Sequence, residues 1–146
     1  MEIRFKEITY QNWEECIGLQ VADHQKGFMA SNLYSIAEVQ FLPGFKAMGI
    51  YYTDVMIGFI MFGLDPDDGN YWIYRFMIDE KFQGKGYGKQ ALIQAAAMIS
   101  NNPGCQEIYV GYHQDNIAAD QLYKSTGFTD KGIAPWGERL ASYIKM

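Results

Sequence analysis

The stretch Gln83-Gly84-Lys85-Gly86-Tyr87-Gly88-Lys89 packs three glycines and two lysines into seven residues. A strand-like segment at residues 71–79 precedes it, and a helix-like segment at residues 90–100 follows it. A glycine-rich turn that opens a helix leaves backbone N–H groups unpaired at the positive end of the helix dipole. Because glycine has no Cβ atom, the backbone of such a turn can approach a phosphate group closely. The stretch therefore predicts a site for a phosphate-bearing ligand.

Segments upstream of this glycine run have the patterns of one strand, two helices and a hairpin. Ile3 and Phe5 alternate with charged residues, as in a half-buried strand. Two later strands at residues 47–52 and 55–62 are separated by Thr53-Asp54 alone, which predicts a hairpin. Two helices are predicted between the first strand and this hairpin. The first is capped by Asn12 and extends to Val21, and the second is capped by Ser31 or Asn32 and extends to Phe41.

Segments downstream of the glycine run complete the predicted fold. Residues 108–112 have the pattern of a strand, and Asn116 is placed to cap a helix that continues through Tyr123. Gly127 is predicted to end that helix in the left-handed conformation. Two last strands are predicted from Phe128 onward and at residues 139–144. This order predicts an α/β sandwich around a mixed sheet with antiparallel hairpins, not a regular βαβ alternation.

Composition and charge restrict the kind of protein. The chain is long enough for a sizeable core, and we expect residues 1–146 to form a single domain. The net charge of −5 argues against nucleic-acid binding, which normally requires a basic patch, and suits a small cationic substrate. Cys16 and Cys105 indicate free thiols in a reducing compartment and not a disulfide scaffold. The charged N-terminus predicts neither a signal peptide nor a membrane span, so the cytoplasm is the expected location.

Neither of two other phosphate-binding motifs, the dinucleotide fingerprint and the P-loop, fits the glycine run in its context. Gly86-Tyr87-Gly88-Lys89-Gln90-Ala91 formally matches G-x-G-x-x-A, the dinucleotide fingerprint. That fingerprint belongs at the start of a doubly wound parallel sheet, whereas hairpin strands precede it here. Its acidic partner should end the next strand, but Glu107 lies at the start of that strand. The spacing of a P-loop is absent from the sequence.

Two motifs together resemble a known family. Gln83-x-x-Gly86-x-Gly88 matches Q/R-x-x-G-x-G/A, the signature of the GCN5-related N-acetyltransferases, or GNAT family. Asn116-x-x-Ala119-x-x-Leu122-Tyr123-x-x-x-Gly127-Phe128 resembles a helix motif of the same family and lies in the right order after it. The resemblance covers essentially the whole chain. It implies a mixed, mostly antiparallel sheet of about seven strands, flanked by about four helices.

The resemblance also implies the donor and part of the site. The glycine loop would hold the pyrophosphate of acetyl-CoA, and the end of the preceding strand would run along the pantetheine arm. Transfer would be direct, in a ternary complex without an acyl-enzyme, and no metal is expected. Tyr123 occupies the position of the general acid that protonates the leaving sulfur. The predicted acetyl-CoA contacts are Phe76, Met77, Ile78, Gln83, Gly84, Lys85, Gly86, Tyr87, Gly88, Lys89 and Asn116.

The acceptor rests on a finer resemblance. Residues 25–35 and 74–79 look like the bacterial spermine/spermidine (diamine) acetyltransferases of the family, which implies a small polyamine or diamine. Glu38 and Tyr74 are the predicted acceptor contacts, because carboxylates and aromatic rings hold ammonium groups. Further candidate carboxylates are Glu15, Asp23, Asp54 and Glu138. One alternative is another amine acceptor, such as a protein N-terminus, a lysine or an aminoglycoside. A second alternative is a non-catalytic acyl-CoA-binding module. A homodimer is compatible with the Asp65–Asn70 turn.

The general base is not determined by the sequence. Some members of the family place a glutamate on the strand before the loop, but residues 71–76 contain no carboxylate. His113 has a suitable ordinary pKa but is expected to be an exposed loop residue, as is His24. A chain of water molecules that ends at a tyrosine or a backbone carbonyl is the remaining alternative.

Overall fold

A computed structural model of the chain describes residues 2–145, within which seven strands form one sheet. The strands are β1 (Ile3–Glu7), β2 (Phe45–Tyr52), β3 (Val55–Leu64), β4 (Tyr71–Ile78), β5 (Glu107–Tyr112), β6 (Thr129–Ile133) and β7 (Arg139–Ile144). The helices are α1 (Trp13–Gly18), α2 (Asn32–Val39), α3 (Tyr87–Ser100) and α4 (Ile117–Ser125), with 3-10 turns at Asp23–Gln25 and Glu80–Phe82. The strand order is β1-β2-β3-β4-β5-β7-β6, and only β4 and β5 pair in parallel. The predicted sheet and helices are confirmed.

The sheet has a hydrophobic core on each face. β3 is buried on both sides, with Ile57 and Ile60 in the core under α3 and α4, and Phe59 and Met61 in the core under α1 and α2. This burial explains why β3 is apolar at nearly every position. α3 presents small and branched residues to the sheet, and its fully buried ones include Ala91, Leu92, Ala95 and Ile99. The two cores hold β3 and its neighbour β4 rigidly in the middle of the molecule.

Several predicted boundaries were wrong by a few residues. α3 begins at Tyr87 and not at Gln90, because Gly86, with a φ of 86°, is the residue that precedes the helix, and Gly88 and Lys89 already lie in its first turn. α1 ends at Gly18, so Val21 lies outside it. α2 ends at Val39, so Phe41, which was predicted to end this helix, lies outside it and is 81% exposed.

The capping predictions differ in outcome. Ser31 caps α2 by accepting a hydrogen bond from the backbone N–H of Tyr34 at 3.1 Å, as predicted. Asn12 precedes α1 but makes no side-chain capping bond. Its Oδ1 atom accepts from the backbone N–H of Thr9 at 2.7 Å, and its Nδ2 atom donates to the carbonyl oxygen of Glu7. Asn12 therefore braces the loop before α1 and does not satisfy the first turn of the helix.

A gap opens between the two parallel strands. β4 and β5 pair from Tyr71 and Ile108 to Ile73 and Val110, and β4 then continues to Ile78 without pairing to β5. A register shift against β3 leaves Tyr74 as an extra residue of β4 at this point, in a β-bulge. Bulges bend a strand and re-aim its side chains. The second half of β4 consequently has a free edge that faces a gap in the middle of the sheet.

Candidate active site

The glycine loop has the backbone geometry of an anion site. Gly84 and Gly86 have φ values of 77° and 86°, which a side chain would strain, although a Cβ atom would meet no neighbour at either position. Among residues 2–145, no side chain caps the first turn of α3. The N–H groups of that turn have no intrahelical partner and lie at the positive end of the helix dipole. The loop can therefore accept a negatively charged group.

Gln83 ties this loop to two other elements. Its Nε2 atom donates to the carbonyl oxygen of Ile78 at 2.8 Å and to Oε1 of Gln25 at 3.0 Å. The first bond fixes the loop to the end of β4, and the second fixes it to the 3-10 turn that follows α1. Gln83 thus holds the loop in position and does not extend into solvent.

A cavity of about 340 Å³ lies under the glycine loop, and we call it the loop cavity. Most of the predicted acetyl-CoA contacts line it, and so does the 3-10 turn region with Gln25 and Phe28, which sequence reasoning missed. Tyr87 is placed elsewhere, with its ring 4.9 Å from that of Tyr52, and Lys85 is exposed outside the cavity. The predicted residues that line the loop cavity are Phe76, Met77, Ile78, Gln83, Gly84, Gly86, Gly88, Lys89 and Asn116.

α4 places two predicted residues beside the gap. The side chain of Asn116 caps α4 by accepting from the backbone N–H of Ala119 at 3.1 Å, and Gly127 ends the helix region with a φ of 99°, as predicted. Tyr123 lies on the inner side of α4, 7% exposed, and its ring stacks on Tyr112 at 5.3 Å. Asn116 and Tyr123 both line the gap.

Tyr123 keeps its proton in this environment. Burial, and secondarily the negative charge of Glu138, raises the pKa of Tyr123 well above the ordinary value of a tyrosine. A phenol with a raised pKa stays protonated throughout the neutral range. Its hydroxyl can therefore donate a proton or a hydrogen bond to an atom placed in the gap.

An acidic cleft of about 490 Å³ lies on the other side of the gap. Among the residues described, five carboxylates and one guanidinium, that of Arg75, line this cleft. Aromatic side chains from β4 and from the turn before β7 add to its walls. The carboxylates belong to Glu38, Asp65, Asp67, Asp68 and Glu138, and the aromatic rings to Trp72, Tyr74 and Trp136. The cleft therefore suits a ligand with several positive charges.

Hydrogen bonds fix the walls of the acidic cleft. The Tyr74 hydroxyl donates to Oδ2 of Asp65 at 2.6 Å, and the indole N–H of Trp72 donates to Oδ2 of Asp68 at 2.9 Å. Burial, then the bond to Asp65, raises the pKa of Tyr74, so this phenol stays neutral. The sequence predicted residues 65–70 as a turn compatible with a dimer surface, and not as part of an acceptor site. The sequence of that stretch does not indicate that the turn between β3 and β4 lies at the acidic cleft.

The gap connects the loop cavity with the acidic cleft. Phe28, Phe76 and Asn116 line both the gap and the loop cavity. Tyr74, Arg75 and Glu138 line both the gap and the acidic cleft. The loop cavity, the gap and the acidic cleft therefore adjoin one another in this order, with Tyr123 at the gap, and we call this series the passage.

Other predicted candidates lie away from this passage. His113 is half exposed in its loop, where Nδ1 accepts from the backbone N–H of Asp115 at 3.1 Å, and His24 is exposed on the first 3-10 turn. Neither histidine lines the loop cavity, the gap or the cleft. The same holds for three predicted acceptor carboxylates, which are exposed on the surface, namely Glu15, Asp23 and Asp54.

Both cysteines are buried and unreactive. Burial raises the pKa of Cys16 to about 12 and also raises the pKa of Cys105. A thiol is a nucleophile only as the thiolate, which neither residue forms at neutral pH. Neither Cys16 nor Cys105 is therefore placed to form an acyl-enzyme.

A model of the acetyltransferase (GNAT) family matches residues 12–128, which contain both sequence motifs. The chain belongs to this family. It is 32% identical over 138 residues to the spermine/spermidine N(1)-acetyltransferase of Bacillus subtilis strain 168, covering 90% of this chain and 91% of that protein. The probable spermine N(1)-acetyltransferase of B. subtilis subsp. natto is 31% identical over the same shares of the two chains. The GNAT fold and acetyltransferase class predicted from the sequence are confirmed.

Solved acetyltransferase structures share the fold at low sequence identity. The PaiA N-acetyltransferase of Thermoplasma acidophilum, in complex with coenzyme A, has a TM-score of 0.73 at 16% identity and covers 99% of this chain and 100% of that chain. The aminoglycoside acetyltransferase AAC(6')-Ib, in complex with coenzyme A, has a TM-score of 0.83 at 14% identity over 99% and 95% of the two chains. No helix within residues 2–145 is long and apolar enough to cross a membrane.

Proposed function

We propose that this GNAT acetyltransferase transfers the acetyl group of acetyl-CoA to a primary amine of a polyamine such as spermidine or spermine. The observation that carries the proposal is the passage that joins the loop cavity to the acidic cleft. A donor at one end and a cationic acceptor at the other meet in the gap beside Tyr123. This arrangement suits direct attack in a ternary complex.

On the donor side, the glycine loop and the free edge of β4 match the two halves of coenzyme A. The unpaired N–H groups at the start of α3, with Lys89 close by, suit the pyrophosphate. The backbone from Phe76 to Ile78 has no partner on β5 and suits strand-like hydrogen bonds to the pantetheine amides. Crystal structures of relatives with the same fold contain coenzyme A.

On the acceptor side, the acidic cleft matches a chain of ammonium groups. Its carboxylates outnumber its one guanidinium, and its aromatic walls can stack on methylene and ammonium groups. Two relatives at 32% and 31% identity are named for spermine or spermidine acetylation. A monoamine would fill less of this cleft and would be attracted less strongly by the negative charge of the cleft.

The proposed reaction replaces the C–S bond with a C–N bond and an N–H bond with an S–H bond. The lone pair of the acceptor nitrogen attacks the thioester carbonyl carbon and forms the C–N bond. The C–S bond then breaks, the Tyr123 hydroxyl donates its proton to the leaving sulfur, and the proton that the nitrogen loses returns to the Tyr123 oxygen. The raised pKa of Tyr123 keeps this donor protonated before each turnover.

The test is release of free CoA from acetyl-CoA with a panel of amines. The panel contains spermidine, spermine, butylamine, an aminoglycoside and a peptide with a free N-terminus. The proposal predicts the highest kcat/KM for spermidine or spermine and a much lower value for butylamine. Preference for the aminoglycoside or the peptide contradicts the polyamine assignment. Acetyl-CoA binding without turnover of any amine contradicts the enzyme and favours an acyl-CoA-binding module.

A further inference from the structure

Glu138 lies in the turn that joins β6 to β7 and borders both the gap and the acidic cleft. Among residues 2–145, it is the one carboxylate that lines the gap, where Tyr123 also lies. An amine that passes from the cleft toward a thioester in the gap therefore meets this carboxylate last.

The position of the Glu138 side chain is fixed by its neighbours. The indole N–H of Trp136 donates to its Oε1 atom at 2.7 Å, and its backbone oxygen accepts from Ala134 at 2.7 Å across the turn. Gln114 donates to the carbonyl oxygen of Gly137 at 2.6 Å and so ties this turn to the loop after β5. These bonds hold the turn beside the gap, with the Glu138 carboxylate at its edge.

The neighbouring strand leaves room for this carboxylate. A Cβ atom on Gly111 of β5 would lie 3.0 Å from Oε1 of Glu138, closer than such contacts normally occur. Glycine at this position lets the carboxylate lie against β5, at the edge of the gap. No lysine or arginine among the described residues forms an ion pair with Glu138, so its charge is available to a ligand.

The other polar groups shared by the gap and the cleft are unsuited to accept a proton. Tyr74 already donates to Asp65, and its raised pKa shows that it is a neutral phenol. Arg75 is a cation paired with Glu38 at 3.0 Å. β4 has no carboxylate, and both histidines lie elsewhere.

We infer that Glu138 binds the reacting ammonium group of the acceptor and takes its proton, in the role of general base. The inference rests on the proposed function. A primary amine has a pKa of about 10, so only about one molecule in a thousand is neutral at pH 7. A carboxylate in the gap lets the abundant ammonium form bind and lose its proton beside the thioester.

The proton balance is complete with this residue. Glu138 takes one proton from the ammonium, and the freed lone pair forms the C–N bond. Tyr123 gives its proton to the sulfur as the C–S bond breaks, and the second proton of the nitrogen returns to the Tyr123 oxygen. Glu138 then releases its proton to solvent through the open cleft. The products are the acetylated amine, CoA with a free thiol and one proton.

The experiment compares Glu138→Gln with the wild type across pH 6 to 9, with spermidine as acceptor. Glutamine keeps the size of the side chain and an oxygen that can accept from Trp136. We expect kcat to fall about 100-fold at pH 7 and to rise about tenfold per pH unit, because only free amine then reacts. The wild type should show a flatter profile. Acetyl-CoA affinity and the unfolding temperature should stay unchanged.

Two further variants separate proton transfer from structure. Glu138→Asp keeps a carboxylate and should retain the flat pH profile with a lower kcat, and it replaces Glu138→Gln if that variant folds poorly. Glu15→Gln removes the same charge from the exposed face of α1 and should behave as the wild type. Wild-type kcat in Glu138→Gln, or a change in spermidine KM alone with an unchanged profile, would overturn the inference. Absence of turnover in the wild type would instead contradict the proposed function.

Discussion

The carboxylate of Glu38 on α2 lies 3.0 Å from the guanidinium of Arg75 on β4, at the wall of the acidic cleft. The side chains are 32% and 16% exposed, so water screens this pair only partly. The Nε atom of Arg75 is buried and has no hydrogen-bond partner among the described residues. Glu38 is therefore the main compensation for a positive charge that would otherwise repel a cationic acceptor.

This pair predicts opposite effects for its two members. Glu38→Ala leaves the Arg75 charge uncompensated, and we expect the spermidine KM to rise about tenfold, equivalent to about 1.4 kcal/mol. Arg75→Met leaves Glu38 free for the acceptor, so the spermidine KM should fall or stay equal. Steady-state CoA release with each single variant and with the double variant measures the coupling. A higher KM in Arg75→Met would show that Arg75 does not act through its charge.

The sequence predicted those parts of the site that are built from contiguous residues. The turn at Gly84 and Gly86 and the helix from Asn116 to Gly127 follow from local backbone preferences, and both were found where expected. A helix that begins at a glycine with positive φ needs no distant partner, and neither does a side-chain N-cap. Such features can be predicted from about ten consecutive residues.

The acceptor half of the site was predicted only in part: Glu38, Tyr74 and Glu138 were named from the sequence and line the acidic cleft, but the carboxylates of the turn at residues 65–70 were missed. Asp65 and Asp68 have the sequence pattern of a turn, and only the pairing of β3 with β4 brings them to Trp72 and Tyr74. Glu138 reaches the gap because β7 pairs with β5. Strand pairing over these separations is decided by burial of the two cores, which a local pattern does not contain. Asn12 shows the same limit, because its bonds go to the loop and not to the helix.

Replacement of Tyr123 by phenylalanine tests the proton donor. The variant keeps the ring that stacks on Tyr112, so we expect little change in the unfolding temperature or in acetyl-CoA affinity. Loss of the hydroxyl should lower kcat about 100-fold, within the range for general acid catalysis. Because burial raises the pKa of Tyr123 above the ordinary value of a tyrosine, the wild type should keep this donor protonated through pH 9, and the loss should be the same at pH 7 and pH 9. Isothermal titration with acetyl-CoA and steady-state rates measure both quantities, and an unchanged kcat would remove Tyr123 from the role.

Neutralising Asp68 tests whether the charge of the cleft selects polyamines. Asp68→Asn keeps an acceptor for the indole N–H of Trp72 and removes one negative charge. We expect the spermidine KM to rise about fivefold at low salt, with less effect at 0.5 M salt because screening is then stronger. kcat should change little, since Asp68 does not line the gap. Asp54→Asn is the matched control, because that residue is exposed in the β2–β3 turn. An equal rise in KM for butylamine would contradict a role in polyamine selection.

Two glycine substitutions separate the function of the loop from its stability. Gly86 and Gly104 have similar positive φ values, 86° and 77°, and at both positions a Cβ atom would meet no neighbour. Gly86→Ala and Gly104→Ala should therefore each lower the free energy of unfolding by about 1–2 kcal/mol, through backbone strain alone. Only Gly86 borders the loop cavity and sets the direction of the N–H groups at the start of α3. We expect the acetyl-CoA KM to rise about tenfold in Gly86→Ala and to stay at the wild-type value in Gly104→Ala, measured with saturating spermidine. The two variants share backbone strain, but only Gly86→Ala changes the loop. Equal acetyl-CoA KM values in the two variants would therefore mean that the loop does not hold the donor.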